Sequence, residues 1–198
     1  MSMHNHYTGN SASQLQLFDR IGLEDPLIGQ PYPRLPASPA EFFRLWISTS
    51  TVPRQTDGWP STSFFDLEAS YWAERHRTNF PLVHSNDLKS DLDGEMRRIA
   101  SFLNIPVDAA VWPALVAAAS FEAMRAAGDS LMPHTRTMLV EGPQRFFNKG
   151  FNGRWRDVLT DDDLALYDAK VRTKLTPGLA AWLACGRLAS SDPRTAPD

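Results

Sequence analysis

Apolar residues along this chain fall into short stripes at helical spacing, separated by polar and proline-rich stretches. Ser38-Pro39-Ala40-Glu41 sets a serine at the cap, proline at the first helical position and glutamate three residues after the cap. Phe42, Leu45 and Trp46 then share one face. From Ser63 to Arg77, the residues Phe64, Leu67, Tyr71, Trp72 and Arg75 recur with helical period, an aromatic stripe that reads as core. Phe80-Pro81-Leu82-Val83-His84 is short and apolar and predicts the one convincing strand. After a loop at Ser85–Lys89, Ser90 with Asp93 three residues on caps a helix bearing Leu92, Met96, Ile99, Ala100 and Leu103. Another helix is predicted from Asp108 to Ala118, with Val111, Leu115 and Ala118 on one side. Thr160 opens a helix with Asp161, Asp162 and Asp163 at its start, Lys170, Arg172 and Lys174 at its end, and Leu164, Tyr167 and Val171 inward. Acid first and base last suits the helix dipole, which accounts for those charges without a function. Pro177-Gly178 breaks the pattern, and a short helix with Leu179, Trp182 and Leu183 closes it.

The remaining stretches carry weaker signals. Met1 to Tyr7 reads as the end of a helix stopped by Gly9 and Asn10, and a proline-rich loop runs from Asp25 to Pro36. Gly128 to Pro143 reads as a mobile polar loop with His134, Arg136 and Glu141. From Ser190 onward a polar tail rich in Ser, Asp and Pro is expected to be disordered, so the predicted organisation is one domain over 1–189 and a tail over 190–198. A lone buried strand cannot satisfy its backbone groups, so the pattern predicts part of an α/β domain, mostly helical, with few parallel strands.

Composition narrows the classes. At 198 residues, 42% hydrophobic and 22% charged, the chain is an ordinary globular domain able to bury a sizeable core. A net charge of −3 and a pI near 5.9 argue against coating a nucleic acid, so any basic feature should be a local anion site. Cys185 is alone, which excludes an intramolecular disulfide and predicts a small buried hydrophobe in a reducing compartment. No run reaches the roughly 18 apolar residues of a membrane span, and no leader pattern opens the chain, so a cytoplasmic protein is expected. His4 and His6, with no cysteine or nearby carboxylate, make a poor metal site, and no metal is expected.

One stretch carries chemistry. In Phe146-Phe147-Asn148-Lys149-Gly150-Phe151-Asn152-Gly153-Arg154-Trp155-Arg156, two glycines three apart let the backbone approach a ligand, and Lys149, Arg154 and Arg156 bring cations beside it. That pattern fits a phosphate cradle and equally a solvated basic turn before a helix. It resembles the RKGxxGDWK loop of the PAPS-dependent sulfotransferases. Lys149, Gly150, Gly153 and Trp155 match, while Asn148 stands where the family has Arg and Arg154 where it has Asp. An amide in place of a bidentate guanidinium weakens phosphate binding unless Arg154 or Arg156 compensates. Asp87, Leu88 and Lys89 resemble the end of the family's YEDLK strand, with Ser85 and Asn86 replacing its Tyr and Glu. Ser120, Phe121 and Met124 resemble its TSFxxM segment, although by periodicity alone Phe121 and Met124 are core at i, i+3 spacing.

The resemblance implies a partial P-loop-type sulfotransferase fold corresponding to the C-terminal two thirds of the family. The opening Met1-Ser2-Met3-His4-Asn5-His6 would follow directly on the family's RDPRDVA segment. It further implies 3′-phosphoadenosine 5′-phosphosulfate (PAPS) as sulfuryl donor and a small-molecule acceptor bearing a hydroxyl or amine. Ser2, Ser120, Phe121, Met124, Asn148, Lys149 and Gly150 would be the nucleotide-binding residues. No PKxGTTW phosphosulfate loop occurs in the sequence, and none of His4, His6, His76, His84 or His134 holds the family's catalytic position. The chain is therefore read as N-terminally truncated, inactive by itself, and without an assigned catalytic residue. The alternative is a non-catalytic remnant that binds a nucleotide or a protein, self-associating through exposed apolar surface.

Overall fold

The computed structural model describes residues 2–198, so Met1 of the predicted N-terminal helix lies outside the described residues. In chain order the first helices are α1 (Ser2–Thr8), α2 (Ala12–Glu24), α3 (Pro39–Ser48), α4 (Phe64–Ala73), α5 (Ser85–Ser90), α6 (Leu92–Phe102) and α7 (Trp112–Ala118). They are followed by α8 (Phe121–Ala126), α9 (Gly128–Leu131), α10 (Thr135–Met138), α11 (Pro143–Phe146), α12 (Asp161–Lys174) and α13 (Pro177–Cys185). Two compact units result, one from the chain up to Leu45 with Ala119–Asp163, the other from Trp46–Ala118 with Leu164–Asp198.

In the first unit, α1 stops ahead of Gly9 as expected. The stretch that follows folds into α2, which the sequence pattern did not predict. Ser11 starts it, its hydroxyl accepting from the Gln14 N–H at 3.2 Å. The stripe on α2 is weak, since Leu17, Ile21 and Leu23 are all exposed. Ser38 caps α3 as predicted, accepting from the Glu41 N–H at 3.3 Å. Gly128–Pro143, expected as a mobile loop, instead holds α9 and α10 and begins α11. The Arg136 guanidinium grips the Asp129 carboxylate through two hydrogen bonds of 2.7 Å each, which ties α10 to α9.

The Thr160 start of α12 is a reciprocal cap. The Asp163 N–H donates to the Thr160 hydroxyl at 3.3 Å, and the Thr160 N–H donates to Asp163 at 3.1 Å. Asp163 is also buried and receives the Arg44 guanidinium at 2.7 and 3.1 Å, so the helix dipole alone does not account for it. The Arg44 and Thr160 hydrogen bonds hold its pKa at about 2, down from the usual 3.8. A depressed carboxylate contributes stability above its unfolded pKa and loses it as pH falls through the folded one. Chemical denaturation at stepped pH should therefore show the wild-type advantage over Asp163→Asn present above pH 3.8 and gone near pH 2.

The second unit centres on Trp72, Leu179, Trp182 and Ala196, with Ala69, Leu82, Leu175 and Leu183 packed against them. Of the predicted stripe, Trp72 and Arg75 are buried, Phe64 is half-buried and Leu67 and Tyr71 are exposed, while Phe65, outside the stripe, is fully buried. Residues 190–198, expected as a disordered tail, bring Ala196 into this cluster, and the Asp198 carboxylate receives Arg75 at 2.7 Å.

The expected mostly helical character holds, but among the described residues there is no strand, so the few parallel strands expected of an α/β domain are not formed. An extended segment becomes a strand only beside a partner. The predicted strand Phe80–His84 has none: its Leu82 carbonyl accepts from the Arg98 side chain at 3.0 Å, and its last residue caps α5. An isolated antiparallel bridge joins Asn10 and Leu139. Other local expectations shift as well. Ser85–Lys89 is helical, and Asp91 rather than Ser90 caps α6, accepting from the Gly94 N–H at 2.9 Å. On α7 the buried residue is Trp112, whose indole donates to Asp93 at 2.6 Å, whereas Val111 and Leu115 are exposed. Cys185 is exposed, not the buried hydrophobe expected of it.

Candidate functional site

The residues expected to hold a nucleotide all lie in the first unit. Gly150 and Gly153 both have positive φ, +68° and +82°, a conformation that side chains strain. Space adds a second reason at Gly150. A Cβ built there would stand 2.8 Å from Cε1 of Phe121, so the aromatic ring lies directly against the bare backbone. Phe121 opens α8, and its ring meets the buried Phe147 edge-on, with centroids 6.4 Å apart. Phe147 in turn meets Phe146 at 5.2 Å. The glycine loop and the Ser120–Met124 segment, far apart in sequence, are thus brought together through Phe121, Phe147 and Gly150.

Ser120 caps α8, its hydroxyl accepting from the Ala123 N–H at 3.2 Å. Met124 sits one turn further on and is half-buried, as is Asn148. Lys149 is exposed, and its ammonium group makes no ion pair or hydrogen bond among the described residues. Nothing among the described residues competes for that charge. Arg156 stacks over the Trp155 ring at 4.9 Å and lies where a Gly153 side chain would go. Ser2 is exposed on the first turn of α1. That helix is fastened to α11, which feeds the glycine loop: Arg145 donates to the Asn5 carbonyl at 2.9 Å and to the Thr8 hydroxyl at 3.1 Å. Arg145 and Phe147 were not singled out from the sequence. A pair of phenylalanines directly ahead of a glycine loop was the available signal for Phe147.

His4, His6 and His84 are engaged in packing and capping. His4 is buried with Nε2 at 2.9 Å from the Pro36 carbonyl, the His6 ring meets Phe146 at 5.4 Å, and His84 caps α5 by accepting from the Asn86 N–H. The arrangement therefore offers an aromatic wall, backbone held open by two left-handed glycines, and uncommitted cations. Such a surface can stack a planar ring and bind an oxyanion.

A family model described as "Sulfotransferase domain" matches residues 57–177. The chain belongs to the sulfotransferase family. The glycolipid sulfotransferase of Mycobacterium tuberculosis is 29% identical over 157 residues, covering 76% of this chain and 48% of the relative. Sulfotransferase 1B1 of Mus musculus is 27% identical over 117 residues, covering 58% of this chain and 38% of that protein. The chain thus spans about half the length, or less, of the curated relatives it matches. Among solved structures, mouse sulfotransferase SULT7A1 complexed with PAP superposes with a TM-score of 0.60 at 18% identity, over 89% of this chain and 54% of that one. At that identity the likeness is one of fold. It agrees with a sulfotransferase fold even though the described residues form no sheet.

Proposed function

We propose that this chain binds the nucleotide portion of PAPS, and that the reaction it serves is sulfuryl transfer from that donor to a hydroxyl or amine of a small-molecule acceptor. The observation that carries the reading is the seating of the Phe121 ring against the bare backbone of Gly150. A stacking surface beside a positive-φ glycine, one residue from an unpaired lysine, suits a purine carrying a phosphate at close range. Phe121 and Met124 contribute the face for the adenine, where stacking needs no particular hydrogen-bond pattern. Asn148, Lys149 and the Gly150 backbone hold the 3′-phosphate, and Ser2 and Ser120 supply hydroxyl donors. Membership of the sulfotransferase family supports the choice of donor.

Lys149 provides the charge. Calorimetric titration with adenosine 3′,5′-bisphosphate should give saturable binding. Lys149→Ala should weaken it about tenfold or more, the loss of one charge-assisted contact. Since Lys149 is exposed and unpaired, the variant should melt where the wild type does. Absence of binding at millimolar nucleotide would sink the assignment of the loop.

Sulfuryl transfer also needs a base for the acceptor proton and cations on the leaving oxygen. His4 and His84 are committed to the Pro36 carbonyl and to the cap of α5, the His6 ring packs on Phe146, and no histidine of the chain stands at the family's catalytic position. The 198-residue chain alone should therefore bind the donor without transferring its sulfuryl group, and sulfation by the pure protein would overturn that part of the proposal.

A further inference from the structure

In the first unit, α1, the start of α2 and the proline-rich stretch before α3 enclose a cavity of about 370 Å³. Its apolar wall is made of Tyr7, Leu15, Tyr32, Pro33 and Leu35. The volume lies at the lower end of the roughly 300–1,000 Å³ usual for small-molecule sites, room enough for a fused pair of rings. The charge at its edge is already met: Arg34 is paired with Asp19, which also accepts from the Tyr32 N–H at 3.1 Å. Burial, and after it the neighbouring Tyr7, push the pKa of the Tyr32 hydroxyl up, so that ring stays neutral. The Thr8 hydroxyl is spent on the His4 carbonyl at 2.7 Å, and Asn10 adds a neutral amide. The lining therefore carries no charge that a ligand would have to match.

His4 lines the same cavity and is only 9% exposed, its ring held beside Phe42. A carbonyl can only accept, so the 2.9 Å contact with Pro36 puts the proton on Nε2 and leaves a lone pair on Nδ1. Nδ1 accepts no hydrogen bond from the described residues. It is nonetheless reachable, since the enclosed side-chain atoms without a partner among those residues belong to Asp57, Arg75, Trp182 and Arg187. An open acceptor on the wall of a neutral, aromatic cavity suits a donor that arrives from outside. We propose that this cavity binds an uncharged aromatic ring carrying one N–H or O–H, the ring against Tyr7 and Tyr32 and the donor on Nδ1 of His4. Aromatic walls suit a flat ring, and a ligand N–H taken out of water needs such an acceptor. The site is separate from the nucleotide loop. Ser2 and His6 project from one side of α1, with the His6 ring on Phe146, whereas His4, Tyr7 and Thr8 share the other.

The test is an NMR titration of the full 198-residue chain with indole and with 1-methylindole, at about pH 8, where an ordinary imidazole is neutral. The two probes share shape and apolar surface, and only indole has the donor. Indole should bind saturably and move the Nδ1 resonance of His4 upfield, as a nitrogen that accepts a hydrogen bond does. 1-Methylindole should bind about tenfold more weakly and leave that resonance in place, the loss of one hydrogen bond. Leu35→Trp, which fills the cavity from its own wall, should abolish indole binding with helix content and binding of adenosine 3′,5′-bisphosphate unchanged. Equal affinity for the two probes, no binding of indole, or indole binding that survives Leu35→Trp would overturn the proposal. Displacement of indole by the bisphosphate would place the ring on Phe121 instead, overturning the cavity assignment while leaving the nucleotide loop standing.

Discussion

Gly150→Val should abolish detectable binding of adenosine 3′,5′-bisphosphate while leaving the helices in place. Two costs meet at this position. A β-branched residue at φ +68° leaves the regions open to it, a strain of about 1–3 kcal/mol. The new Cβ would also stand 2.8 to 3.0 Å from three atoms of the Phe121 ring, so the ring must move. It cannot move freely, because Phe147 is packed edge-on against it and is itself buried. Relief therefore comes either from swinging Phe121 off the loop, which removes the stacking face, or from lifting the loop, which removes the phosphate cradle. Both outcomes end nucleotide binding. Gly153→Val is the control. Its φ of +82° is just as strained, but what its Cβ would meet is the far end of the exposed Arg156, which can swing away. Calorimetry on the two variants, with circular dichroism to confirm the fold, should rank Gly150→Val as far the more damaging for binding. Equal losses would mean that loop strain rather than the Phe121 contact governs the site.

That contact marks the limit of what the sequence makes legible. Signals written within one turn of helix could be read: Ser38 caps α3, Thr160 opens α12 and the glycine pair adopts positive φ, because each depends on neighbours three or four residues away. Gly150 and Phe121 are not neighbours of that kind. Spacing alone left Phe121 as core and the loop as a cradle or a basic turn, and only the family resemblance placed them at one site. The same reason explains the missing strand. Phe80–His84 has strand composition, but a strand needs a partner elsewhere in the chain, and here Arg98 takes up the Leu82 carbonyl instead. α2 escaped notice because much of its apolar surface faces outward, leaving little period to detect. The short helices after Gly128 are linked by the ion pair of Asp129 with Arg136, seven residues apart, a spacing that no helical pattern predicts.

Glu95 was invisible for the opposite reason, being a charged residue on what reads as the polar face of α6, yet its replacement by alanine should be strongly destabilising. Its side chain is fully buried, and both carboxylate oxygens are occupied, by Arg98 from the same helix and by Arg187 from the segment after α13. Burial pushes its pKa up, but the two guanidiniums outweigh burial and hold the pKa below the usual value. The carboxylate is thus charged at neutral pH and pairs with both arginines at once. Removing one partner of a buried charge cluster costs about 3–5 kcal/mol, because the partners left behind keep their desolvation without their attraction. Arg98 and Arg187 retain side-chain exposures of 31% and 27%, so water recovers part of that and the lower end, about 3 kcal/mol, is expected. Against a total stability of about 5–15 kcal/mol for a domain, this shifts the urea midpoint well outside error. Glu95→Gln, which keeps the shape and loses the charge, should fall between wild type and alanine. A midpoint for Glu95→Ala within about 0.5 kcal/mol of wild type, the usual range for surface substitutions, would show that the cluster is solvated rather than buried.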